Sequence, residues 1–185
     1  MSEIINVTQP LLLEKHFVRV IGIGNTLAGD DGLGVHAVRY LEASMAQDSG
    51  IDFVDGGTLG LYLLDDIVEA PAVILIDALR FQSEPGSVCV FEGDAMDNLI
   101  QNPCRRTSHE VGLSDLLAAV RLLDGLPAHR AIIGIEPSRC GWCGDLSKEA
   151  AAALPVVAQK IEEVLMRWDL AVVGSEPGTV SGQAR

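Results

Sequence analysis

The sequence predicts an α/β fold: a three-layer α/β/α sandwich on a mainly parallel sheet. Strand-like and helix-like segments alternate along most of the 185 residues, the pattern of helices laid over both faces of a sheet. AVILID, from Ala72, is an unbroken apolar run, as a strand buried on both faces requires. The glycine-rich stretch GIGNTLAGDDG follows the first strand directly, where a strand-to-helix loop belongs.

In order, FVRVIGI reads as the first strand, and LGVHAVRYLEASM as a helix with Leu33, Ala37, Val38 and Leu41 at helical spacing. IDFVD is a short strand turned by GGT. LYLLDDIVEA is a helix with Leu61, Leu64 and Val68 on one face, and AVILID and SVCVFEG are strands. A polar loop leads to the helix HEVGLSDLLAAVRLL. HRAIIGIEP is a strand stopped by Pro137, and KEAAAALPVVAQKIEEVLMRW is helical, either kinked or restarted at Pro155. One domain spans 1–170. Residues 171–185, rich in Gly, Ser and Pro, read as a loose tail.

Hydrophobic residues make up 48% and the mean hydropathy is +0.28, so a compact soluble domain is expected. A net charge of −13 argues against nucleic acid and anionic membranes as partners. The longest apolar run falls far short of the ~20 residues a spanning helix needs. The acidic N-terminus makes a poor signal peptide, and Cys89, Cys104, Cys140 and Cys143 read as reduced thiols. A cytoplasmic location is therefore expected.

Gly22-x-Gly24 invites a dinucleotide-binding reading, with Asp55 in the place of the ribose-binding acid. Leu27 occupies the position of the third glycine, and Asp30 and Asp31 would face the pyrophosphate. Like charges at ~4 Å cost about 4 kcal/mol at an effective dielectric of ~20, more than the ~0.3–1 kcal/mol a helix N-terminus returns. No nucleotide is expected. Asp30 and Asp31 either cap and decorate the following helix or meet a cation, with Asp31 the better ligand if Asp30 caps. Asp77 closes the run VILID, where it caps the next loop, pairs with Arg80, or serves a site. Thr107 and Glu110 have capping-box spacing, which sets His109 in a first helical turn that favours neutral, metal-binding imidazole. Two carboxylates and an imidazole at one sheet edge make a mixed oxygen and nitrogen donor set, suited to nickel, zinc, iron or manganese. HEVGL has Leu113 where a zinc-protease motif needs histidine, and there is no Gly-x-Ser-x-Gly elbow.

GIGNTLAGDDGLG, DGGTLGLYLL, ILIDAL, SHEVGLSDLL and IIGIEP, in this order, resemble the hydrogenase maturation protease family over about Val18 to Leu165. The resemblance implies a twisted five-stranded sheet with helices on both sides. It implies an endopeptidase, classed as aspartic-type, that removes the C-terminal extension of the nickel–iron hydrogenase large-subunit precursor. The implied metal ligands are Asp31, Asp77 and His109, with Asp31 and Asp77 catalytic. Many relatives carry Glu at the first position, so Asp31 has the shorter arm. The nickel is carried by the substrate, and the loop glycines let the backbone approach that partner. Asn25 holds the loop, and Asp55, Gly56, Gly57 and Thr58 line the substrate cleft. Either nickel activates the water with Asp31 or Asp77 as base, or the carboxylates activate it directly.

Two other classes share the chain. Cys140-Gly-Trp-Cys143 lies between a strand and a helix, where thiol redox motifs sit, although two reduced loop cysteines also account for it. A non-catalytic chaperone gripping the same nickel-bearing tail would carry every motif above.

Overall fold

Every residue of the third strand, Ala72–Ala78, is buried, and its two faces feed two separate cores. The computed structural model describes residues 18–45, 50–101, 110–142 and 144–170. The strands are β1 (Val18–Ile23), β2 (Ile51–Gly57), β3 (Ala72–Ala78), β4 (Val88–Glu92) and β5 (His129–Ile135). They form one sheet in the order β2-β1-β3-β5-β4. Every neighbouring pair is parallel except β4 with β5, which is antiparallel. The α/β sandwich with a mainly parallel five-stranded sheet is thus the observed fold.

The helices are α1 (Leu33–Ser44), α2 (Leu64–Val68), α3 (Asp94–Gln101), α4 (Glu110–Leu122) and α5 (Lys148–Arg167). Strand side chains alternate between faces. Ile74 and Ile76 therefore join Leu33, Val38 and Leu41 of α1 and Val157 and Ile161 of α5. Val73 and Leu75 join Ile67 of α2, Met96 of α3 and Leu116 and Val120 of α4. No described helix is long and apolar enough to cross a membrane.

Three elements differ from the sequence reading. The helix expected over LYLLDDIVEA is a 3-10 turn, Gly60–Leu63, running into the short α2. Pro71 disfavours helical geometry at the residue before it, and the helix ends at Val68. The stretch after β4, read as polar loop, forms α3, which sets Met96 and Leu99 in the core. α5 runs unbroken through Pro155 and is capped by Ser147, whose Oγ accepts the Ala150 N–H at 3.1 Å. The expected tail, 171–185, lies outside the described residues.

The strand order places a switch point beside β1. The chain leaves β1 through α1 on one face to reach β2. It then returns through α2 on the other face to β3, on β1's far side. At such a reversal the carboxyl ends of neighbouring strands open a crevice.

Candidate functional site

Glycine at Gly22 and Gly34 is what allows α1 to begin so close to that crevice. A Cβ at Gly34 would lie 2.1 Å from the Ile76 carbonyl oxygen and 2.3 Å from that of Ile23. A Cβ at Gly22 would lie 2.2 Å from the Gly34 carbonyl oxygen. Close helix-to-strand packing, missing at Leu27, is supplied by this pair instead. Gly24 and Gly32 face the loop's own backbone: their Cβ atoms would meet the Asp31 carbonyl oxygen at 2.2 Å and the Thr26 Cα at 2.7 Å. These two glycines fold the loop onto itself.

That packing brings together the two backbone segments that carry the proposed carboxylates. Asp31 lies in a 3-10 turn, Asp30–Gly32, that packs directly on β3. Gly34, three residues later, touches the carbonyl of Ile76, the residue before Asp77. Asp31 is 6% exposed and Asp77 0%, so both carboxylates are buried where a charge must be matched. Asp77 Oδ1 accepts the Ala78 N–H at 2.8 Å. By the alternation along β3, Asp77 belongs to the face that α4 covers. α4 leads into the amino end of β5, parallel to β3, so its own N-terminal residue, Glu110, lies at the carboxyl edge with Asp77. His109 immediately precedes Glu110; it and Thr107 lie outside the described residues. Among the described residues, which do not include His109, no three His, Cys, Asp or Glu side chains form a metal-holding group.

Asp30 does a different job. No side chain caps its 3-10 turn or α1, correcting the expectation that Asp30 would. Its Oδ2 accepts the N–H groups of Ser138 at 2.9 Å and Arg139 at 3.0 Å and the Ser147 hydroxyl at 2.8 Å. Its Oδ1 accepts the Ser147 N–H at 2.7 Å. Burial raises the carboxyl, but these four donors outweigh it and hold it below the ordinary 3.8. Asp30 is therefore a fully committed structural anion that fastens the β5–α5 loop to the first loop.

The substrate-lining candidates divide. Asn25 Oδ1 accepts the Leu27 N–H at 3.0 Å, an Asx turn that holds the loop as expected. Gly24 N–H donates to the Gly57 carbonyl at 2.8 Å and joins the first and second loops. Gly56 is buried against Ile21 and Leu63, at a break in the β1–β2 register. Gly57 has φ +48°, and Thr58 is exposed beside it. Asp55 pairs with Arg39 at 2.9 Å and accepts the Gly57 N–H at 3.2 Å. Leu27, Leu59, Leu61 and Tyr62 stand exposed along these joined loops.

Cys140 reaches the same rim. It bridges backbone to Gly29, and its Sγ receives the Arg80 guanidinium at 3.9 Å. Arg80 thus contacts the thiol rather than Asp77, correcting the expected pair. Burial pushes the Cys140 thiol up, with Asp31 and Asp30 adding and Arg80 opposing. Activated redox cysteines are pushed the other way. Cys104 and Cys143 lie outside the described residues.

Ser147 before Lys-Glu-Ala is a readable helix cap; Arg80 has no motif.

A profile of the hydrogenase maturation protease family matches residues 35–164. The chain is 30% identical over 162 residues to the hydrogenase expression/formation protein HupD of Rhizobium leguminosarum bv. viciae, covering 87% of this chain and 80% of that one. Among solved structures it resembles the hydrogenase maturating endopeptidase HybD of E. coli. The TM-score is 0.74 at 26% identity, over 82% of this chain and 93% of that one. It also resembles the [NiFe] hydrogenase maturation protease HybD of Thermococcus kodakarensis, with TM-score 0.68 at 26% identity, over 80% and 97%.

Proposed function

The chain belongs to the hydrogenase maturation protease family and is a peptidase; from that premise we propose that it cuts the C-terminal extension from a nickel–iron hydrogenase large-subunit precursor once nickel is in place. Asp31, Asp77 and His109 meet the substrate-borne nickel, and an aspartate, Asp31 or Asp77, is the base. The observation that supports this reading is that the turn carrying Asp31 packs on the strand that carries Asp77, 46 positions later in the sequence, with both carboxylates buried.

Peptide hydrolysis needs a water positioned against the scissile carbonyl carbon and a group to take its proton. A carboxylate at that edge supplies the second requirement, a contribution of about 10²–10⁴-fold. The water oxygen bonds to the carbonyl carbon, its proton passes to the aspartate, and then the C–N bond breaks as that proton goes to the leaving nitrogen. Asn25, Asp55, Gly57 and Thr58 lie on the two joined loops beside this crevice and hold the incoming chain, with Gly56 backing them. A carboxylate and imidazole donor set selects a divalent ion such as nickel. Nickel thereby serves as the mark of a mature precursor, and the protein itself has no need of a nucleotide.

The test is incubation of the full-length protein with nickel-loaded and nickel-free precursor, followed by the masses of both fragments. Cleavage is expected only with nickel. D31A, D77A and H109A are each expected to fold and to release no fragment. Normal processing by all three would remove the site assignment. Precursor binding by wild type without any released peptide would favour the chaperone class.

A further inference from the structure

Cleavage by this route leaves one requirement unmet by Asp31 and Asp77. When water adds to the scissile carbonyl, the C=O electron pair moves to oxygen, and two carboxylates repel the charge that forms. A cation fixed at the same edge would stabilise it.

Arg80 is placed for this. It follows Asp77 by three residues, at the carboxyl end of the central strand. Its neighbours are pinned on both sides: Leu79 N–H donates to the Ile135 carbonyl at 2.9 Å, and Phe81 N–H to Glu136 Oε2 at 2.8 Å. Glu136 is only 6% exposed and also takes the Ser83 N–H at 3.2 Å, so a buried anion fixes the turn that carries the arginine. The guanidinium reaches Cys140, whose backbone bridges Gly29, two residues before Asp31. Arg80 therefore starts beside one proposed carboxylate and ends beside the loop that carries the other.

Its partners are as informative as its position. Arg19, Arg39, Arg121, Arg130 and Arg167 each pair with an Asp or Glu. Of the arginines among the described residues only Arg80 and Arg139 make no ion pair, in a chain of net charge −13, and of the two it is Arg80 that stands at the end of the strand carrying Asp77. Its one contact is a thiol, a weak acceptor, so four of the five N–H donors of the guanidinium stay available and leaving the sulfur costs little.

We propose that Arg80 is a further catalytic residue: its guanidinium donates to the oxyanion formed on the scissile carbonyl. The inference rests on the peptidase reading above. A bound polypeptide covers the rim and excludes water, which strengthens an interaction that is weak while Arg80 is exposed. In the balanced step, water oxygen bonds to carbon, its proton goes to the aspartate, and the carbonyl pair resides on oxygen opposite Arg80. The pair then re-forms C=O as the C–N bond breaks and the nitrogen takes the proton.

Full-length wild type, R80A and R80K are compared on nickel-loaded precursor, with folding monitored by urea midpoint and fragments by mass. Expected is a loss of about 10²–10³ in kcat for R80A, as for removal of one oxyanion donor, with KM little changed. R80K should lie between, because an ammonium keeps the charge without the planar fork. Millimolar guanidinium should restore part of the R80A rate and none of the D31A rate, an outcome that a structural role would not produce. Unchanged kcat in R80A overturns the proposal, as does a rise in KM alone, which would make Arg80 a substrate-binding residue. Should R80A fail to fold, R80K at the wild-type kcat overturns it equally. If wild type releases no fragment, the peptidase reading falls and Arg80 with it; if wild type cleaves and R80A matches it, only Arg80 falls.

Discussion

Replacing Asp30 by alanine should separate its role from that of Asp31. The side chain is fully buried and accepts four hydrogen bonds, at 2.7–3.0 Å, from three residues of the β5–α5 loop. Ser138 and Arg139 are exposed, so water recovers much of what their N–H groups lose. Ser147 is only 6% exposed, and its N–H and hydroxyl would be stranded at about 1–3 kcal/mol each. Removing a buried charge returns part of its desolvation cost. The balance is a loss of about 2–4 kcal/mol, a large share of the ~5–15 kcal/mol by which domains are stable. With a urea slope near 2 kcal/mol/M, the unfolding midpoint should fall by about 1–2 M. Asp30→Asn should recover little, because whichever way the amide lies, its NH₂ faces N–H or O–H donors. A midpoint shift below about 0.5 M for Asp30→Ala, or full rescue by asparagine, would refute the claim that a charged anchor holds this loop.

Three further outcomes follow from the same geometry. Arg130 grips Asp97 through two bonds, at 3.1 and 2.8 Å, and Arg121 adds a third at 2.8 Å; the Arg130 bonds pull the Asp97 carboxyl below the ordinary 3.8. A carboxyl lowered by folding stabilises above its unfolded value and ceases to do so as pH falls through its folded value. Wild type should therefore lose stability steadily below about pH 4, and Asp97→Asn should be less stable at pH 7 with a flatter acid limb in calorimetry. Gly34→Ala would force a Cβ to 2.1 Å from the Ile76 carbonyl oxygen, so α1 must lift from the sheet. The variant should lose about 3 kcal/mol or more, or fail to fold, as read by urea unfolding. Asp31→Glu moves the carboxylate outward by one bond and should keep measurable precursor cleavage, while Asp31→Asn should lose about 100-fold or more in kcat.

The parts of the fold that were legible are those where burial alone sets the pattern. β3 is apolar on both faces because it is central, and the runs VRVIGI and RAIIGI flank it for the same reason. α3 was not legible: the eight residues of DAMDNLIQ are shorter than the roughly 11–18-residue window over which a helical period is read. The reversed direction of β4 was not either, since a half-buried strand reads alike in both directions. Asp31 and Asp77 were readable as residues at loop and strand ends. The packing of Asp31's turn on Asp77's strand depends on Gly22 and Gly34 letting a helix start against β3, which the letters do not state.

The adjacent acids Asp30 and Asp31 show why the site needed the structure. They share one 3-10 turn and near-equal burial, so local sequence assigns them the same character. What divides them is a loop more than a hundred residues away: Ser138, Arg139 and Ser147 bring four donors to Asp30. A carboxylate holding four hydrogen bonds at 2.7–3.0 Å is fixed as an anion and has no oxygen to offer a substrate or a proton. Glu136 Oε2 accepts the Phe81 and Ser83 N–H groups. Each buried anion thus fixes the backbone of a loop whose exposed residue reaches the crevice: Asp30 sets Cys140, and Glu136 sets Arg80. In the proposed mechanism the edge is stiffened by these two structural acids, so that Asp31, Asp77 and Arg80 need not move to act.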